Sequence, residues 1–181
     1  ALDRARDAVE RGGGEGKLWE LHRSSGELAL ARRDHRAARA DFRRCLELAD
    51  EMGNPQQRDV SRLQLGRTLL ALEEYDAARR QLADEETSSA FGERFRSRLA
   101  RLIVLGITLA RQGDPEAALV PLRKAESLRT PGSPIDLRAR LECELGRCLA
   151  ATGRHDRAHE HLLRCREALD RQVENLPTVE L

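Results

Sequence analysis

The chain alternates apolar stripes at helical spacing with short polar breaks, and the alternation keeps time. Gly26, Gly66, Gly106 and Gly146 stand 40 residues apart, and Ala38, Ala78, Ala118 and Ala158 each follow twelve residues later. An apolar residue four positions further on (Phe42, Leu82, Leu122 or Leu162) completes the beat. Independent insertions do not preserve such spacing, so the chain is a tandem repeat.

The breaks locate the helices. Leu2, Ala5 and Val9 share one helical face and Gly12-Gly13-Gly14 stops it, so residues 1–14 read as the tail helix of a truncated preceding repeat. Repeat one, residues 15–53, puts Leu18, Leu21, Leu28 and Leu30 on a first helix, turns at Arg33-Asp34, and puts Ala38, Phe42, Cys45, Leu46 and Ala49 on a second. Repeat two, residues 54–91, carries Leu63, Leu65, Leu69 and Leu72, turns at Glu73-Glu74, and loops out at Ser88-Ser89. Repeat three, residues 92–131, turns at Gly113-Asp114-Pro115, where Asp caps the new helix and Pro fills its first turn. Repeat four, residues 132–170, turns at Gly153-Arg154, and residues 171–181 form a C-terminal tail. The expectation is an all-α chain of tandem antiparallel helix pairs forming a single array.

Composition agrees. Leu and Ala dominate while aromatics are only 3%, which suits close helix packing rather than a sheet. Charged residues reach 35% but nearly cancel to +1, giving no general attraction to nucleic acid or to an anionic membrane. All of the 32 basic residues except Lys17 and Lys124 are arginine. No stretch approaches about 18 uninterrupted apolar residues, so no membrane span is expected. Cys45, Cys143, Cys148 and Cys165 form no CxxC pair, which points to reduced thiols and a cytoplasmic setting.

Leu65-Gly66, Leu105-Gly106 and Leu145-Gly146, each followed three residues later by Leu, resemble the Leu-Gly core of the tetratricopeptide repeat. The aromatics of that pattern are mostly Leu here, and Ser25-Gly26 keeps only the glycine. The period is 40 rather than about 34, similar to the longer-helix variety found in large bacterial signalling and transcription regulators. The resemblance implies a right-handed α-solenoid whose first helices line a concave groove. It places Arg23 in the groove from repeat one, and Leu63, Arg67 and Leu70 from repeat two. Repeat three contributes Ile103, Val104, Ile107 and Arg111, and repeat four Arg140 and Arg147. The family's clamp for a C-terminal carboxylate uses Lys and Asn, whereas Arg23, Leu63 and Ile103 stand here, so chaperone-tail recognition is not expected.

The helix around Leu99–Ala110 is apolar nearly all round, which fits either complete burial or a greasy patch awaiting a partner. Beside it, Arg67, Arg111 and Arg147 would favour a peptide with apolar anchors and acidic neighbours. No phosphate loop, nucleophile elbow or paired catalytic carboxylates stand out, so no catalytic residue and no cofactor are assigned. His155 with His159, and His161 with Cys165, have chelating spacing, but the pairs fall on different faces and His155 matches Tyr75 and His35 of other repeats. Packing is therefore the reading, and no metal is assigned.

The functional expectation is a non-catalytic scaffold module of a larger bacterial cytoplasmic regulator. Its partner would be a protein or peptide, including another domain of the same parent chain, with no direct nucleic-acid or membrane contact. Self-association into a homo-oligomer, or sensing of a peptide or small ligand, is the alternative.

Overall fold

The computed structural model describes residues 14–83 and 93–174, and every regular element among them is helical. In order these are α1 (Glu15–Ala31), α2 (His35–Glu51), α3 (Pro55–Ala71), α4 (Tyr75–Leu82), α5 (Glu93–Arg111), α6 (Pro115–Leu128), α7 (Ile135–Ala151) and α8 (His155–Glu174). The all-α fold of tandem helix pairs expected from the 40-residue beat is the one observed. The expected tail helix carrying Leu2, Ala5 and Val9, the Ser88-Ser89 loop and the tail beyond residue 174 lie outside the described residues.

Each first helix ends by the same device. The residues at 33, 73, 113 and 153 take a left-handed backbone: Arg33 and Glu73 at φ 60, Gly113 at 91 and Gly153 at 76. In the first turn, the Arg33 N–H donates to the Leu30 carbonyl at 3.0 Å and the Asp34 N–H to Ala29 at 2.9 Å. Glu73-Glu74, Gly113-Asp114 and Gly153-Arg154 repeat both bonds one period on each. This pairing satisfies carbonyls that a helix end otherwise leaves open. Asp34 and Asp114 then cap the next helix by accepting from the N–H of Ala37 and of Ala117.

The pairs close on the repeated glycine. A Cβ built on Gly26 would fall 2.8 Å from the Phe42 ring; on Gly66, 2.6 Å from Leu82; on Gly106, 2.5 Å from Leu122; on Gly146, 2.7 Å from Leu162. The glycine thus faces the apolar residue sixteen positions later. The alanine of the beat lies beside that contact, its carbonyl 3.2 Å from such a Cβ at Gly146–Ala158. Ala38, Ala78 and Ala118 are completely buried, as are Phe42, Leu82 and Leu122.

The chain divides into two compact units, Ala1–Ser97 and Arg98–Leu181. In the first, α1 packs on α2, α2 on α3 and α3 on α4. The Trp19 Nε1–H donates to Ser61 Oγ at 3.0 Å, linking α1 to α3. Its core departs from the sequence expectation in α1. The buried face is Trp19, His22, Gly26 and Ala29, whereas Leu28 is 39% exposed and Leu18, Leu21 and Leu30 are half-buried. In the second unit α6 packs on α7 and α7 on α8.

Two predictions follow the backbone and the glycine contact. Gly106→Ala should lower the urea-unfolding free energy by about 1–3 kcal/mol, because Leu122 has no room to yield. Gly146→Ala should cost clearly less, since Leu162 is 41% exposed and can swing away. Glu73→Gly, which relieves a left-handed backbone costing an L-residue about 1–2 kcal/mol, should raise stability by about 0.5–1 kcal/mol after the entropy of glycine is subtracted. A fall in the midpoint for Glu73→Gly would contradict that reading.

Candidate functional site

The second unit carries a recess of about 280 Å3, at the small end of the roughly 300–1,000 Å3 usual for ligand pockets. Ile107, Ala110 and Arg111 reach it from one face of α5, and Glu144, Arg147, Cys148 and Ala151 from one face of α7, with Pro115 at the start of α6. The three- and four-residue spacings explain why these side chains share their faces. Ile107 and Cys148 form an apolar floor, 5% and 2% exposed, while Arg111 and Arg147 stand exposed at the rim. The Arg147 Nη1 lies 3.6 Å from Glu144 Oε1, a loose pair, and Arg111 makes no ion pair among the described residues. Two guanidiniums beside an apolar floor suit a carboxylate next to a greasy side chain. The Cys148 thiol is pushed up to about 11, first by burial and then by the charge of Glu144, with Arg147 opposing. At neutral pH it is a protonated, unreactive wall.

Of the sequence-predicted residues, the recess gathers Ile107, Arg111 and Arg147. Ile103 and Val104 do not line it, being 0% and 3% exposed, so the apolar run of α5 is mainly core. Arg140 is exposed on α7 and lies outside the recess. In the first unit Leu63 is buried, Leu70 half-buried and Arg67 exposed. Arg23 is occupied within its own helix: it donates to Glu20 at 2.8 Å and Glu27 at 2.7 Å and lies 5.7 Å over the Trp19 ring.

Sequence reasoning missed a buried polar bridge that recurs between paired helices. In repeat one His22 Nδ1 meets Asp41 Oδ1 at 2.8 Å, and the Ser25 hydroxyl donates to Asp41 Oδ2 at 2.6 Å. Three periods later the partners are exchanged, and His161 Nδ1 meets Glu142 Oε2 at 2.6 Å while Arg129 holds Oε1 of the same carboxylate. The signal was legible as His22/Asp41 and Glu142/His161, both 19 apart and 120 residues apart from each other, with Arg62/Gln81 and Leu102/Pro121 at the intervening positions. Serine, histidine and aspartate meet in repeat one, but the carboxylate lies between hydroxyl and imidazole. The imidazole therefore does not receive the serine proton in this arrangement, unlike a nucleophile relay. Exposed His155 and His159 stand apart from the bridged His161, and among the described residues no three metal-ligating side chains are gathered.

No family model matches the chain, and no curated protein matches it. Eight solved chains do. One is the crystal structure of the apo form of RapI, with TM-score 0.56 and 13% identity over 96% of this chain and 76% of that one. The likeness is one of fold. It supports a helical-repeat architecture, and among the described residues no helix is long and apolar enough to cross a membrane.

Burial also sets a pH dependence. The Cys45 thiol, donating to the Trp19 carbonyl at 3.5 Å, is pushed from 9.0 up to about 12, chiefly by burial and next by Asp41. A raised folded-state value means that stability is fully present below pH 9 and drains away as pH rises toward 12. Cys45→Ala should therefore flatten the loss of unfolding free energy across that window relative to the parent chain. Parallel curves for the two proteins would contradict the assignment.

Proposed function

We propose that this chain is a tetratricopeptide-like array of four helix pairs, spanning residues 15–170, that binds a protein or peptide through its first helices. The reading extends to a non-catalytic module of a larger bacterial cytoplasmic regulator. One observation carries the binding role: Ile107 and Cys148 floor a recess whose rim holds Arg111 and Arg147. The partner that fits is a segment with one apolar anchor flanked by Asp or Glu. Arg67 and the other groove residues of the first unit are proposed as contact residues of that unit in its own right.

The burial of Ile103 fixes the choice of variants. An aspartate at that position would place a charge in the core and damage the fold itself. Arg111→Gln with Arg147→Gln removes charge from exposed positions instead. Peptides selected against the parent chain from a random library should pair an apolar residue with acidic neighbours, and their affinity should fall at least tenfold in the double variant. Selected peptides without acids, or unchanged affinity, would overturn the groove assignment.

A second reading has its own support. Leu162, Leu169 and Val173 share one face of α8 and are 41%, 48% and 67% exposed. That stripe favours self-association, and light scattering decides it: a mass of 20.4 kDa at high concentration excludes a homo-oligomer.

A further inference from the structure

Two thiols face each other across the last helix pair. Cys143 stands three residues before Gly146 on α7, and Cys165 three residues after Leu162 on α8. In antiparallel helices those offsets place both cysteines about one turn from the glycine contact and in the same direction from it. At that contact a Cβ on Gly146 would fall 2.7 Å from Leu162, so the two helices are held close. The Glu142–His161 bridge, at 2.6 Å, ties the neighbouring turns. Beside these two fixtures the Cys143 and Cys165 thiols hydrogen-bond to each other.

The other repeats show what is peculiar to this pair. The corresponding positions hold Arg23 and Cys45 in repeat one, Leu63 and Glu85 in repeat two, and Ile103 and Ala125 in repeat three. In repeat one the Cys45 thiol has no sulfur opposite and donates instead to the Trp19 carbonyl at 3.5 Å. In repeat three Ile103 and Ala125, one large and one small, are both completely buried. Packing at this position is therefore met without sulfur, and only repeat four sets two thiols there.

The two thiols differ in access. Cys143 is half-buried, whereas Cys165 is 7% exposed. The Cys165 thiol is pushed up to about 11, first by burial and next by Cys143. A small oxidant thus meets Cys143 first, and Cys165 waits behind it as a protonated partner. A disulfide brings its Cβ atoms to about 3.8 Å, the kind of approach that the neighbouring glycine contact favours.

We infer that Cys143 and Cys165 form an oxidant-sensitive modification site, closed to an intramolecular disulfide by hydrogen peroxide. The Cys143 thiolate attacks one peroxide oxygen and the O–O bond breaks. Cys143 becomes a sulfenic acid, and the hydroxide released takes up the proton that Cys143 gave away. The Cys165 sulfur then attacks the sulfenic sulfur, its proton passes to the departing hydroxyl, and water leaves as the S–S bond forms. Two thiols are oxidised by two electrons and one peroxide is reduced to two waters.

The test exposes the folded, fully reduced chain to hydrogen peroxide, then unfolds it in iodoacetamide and maps every cysteine by mass spectrometry. Cys143 and Cys165 should be joined within one molecule with the loss of two hydrogen atoms, while Cys45 and Cys148 are alkylated. Dithiothreitol should restore both thiols. Cys165→Ala carries the residue that repeat three has at that position. In that variant Cys143 should instead gain two oxygens as an irreversible sulfinic acid. Cys45→Ala with Cys148→Ala should leave the rate of linkage unchanged. Resistance of Cys143 to peroxide, oxygen gain at Cys143 with Cys165 still free in the parent chain, pairing with Cys45 or Cys148, or linkage between molecules would overturn the site.

Discussion

The structure depends on a side chain that is missing. At each period a glycine on the first helix lets an apolar residue of the second press against bare backbone, at distances no Cβ could share. Glycine in a helix interior costs roughly 1 kcal/mol against alanine, so its return at Gly26, Gly66, Gly106 and Gly146 requires an offsetting gain. That gain is the full burial of Phe42, Leu82 and Leu122, whose dispersion contacts need close approach. Leu162 marks the exception, because it is partly exposed although Gly146 is as closely approached as the others. The contact alone does not bury the leucine, and a neighbouring helix must cover its far side. This is the nearest-neighbour stability characteristic of stacked repeats.

The same constraint explains what could be read from the chain. A fixed interval between small residues specifies helix pairs without any single long-range clue, so fold class and turn positions were legible. The buried face of α1 was not, because it uses Trp19, His22 and Gly26 where hydrophobicity alone pointed to Leu18, Leu21, Leu28 and Leu30. A histidine reads as polar until its carboxylate partner is known, and Asp41 lies on the other helix. The apolar run of α5 was ambiguous for a related reason. A helix that is greasy all round can be core or surface, and Ile103 and Val104 proved to be core while Ile107 reaches the recess.

Within the site, the charged rim was more legible than its shape. Arg111 and Arg147 could be placed on helical faces by spacing, but the void beneath them depends on Ala110, Ala151 and Pro115 being small or short. The recess by α8, lined by Arg138, Arg164 and Ala168 among others, shows the same logic with different residues. Its opening depends on Ala168 standing where Leu48 stands in repeat one, a comparison that gains meaning only once Leu48 is known to be buried. A rigid periodic frame thus lets local substitutions open cavities without disturbing the pairs that support them.

The close approach of glycine to leucine is most directly tested by a double-mutant cycle on Gly106 and Leu122, read by urea unfolding. If the glycine serves that contact, Gly106→Ala will cost less when Leu122→Ala is already present, with a coupling of about 0.5–3 kcal/mol. Strictly additive costs would mean that the glycine is kept for some other reason, and the packing rule drawn from it would fail.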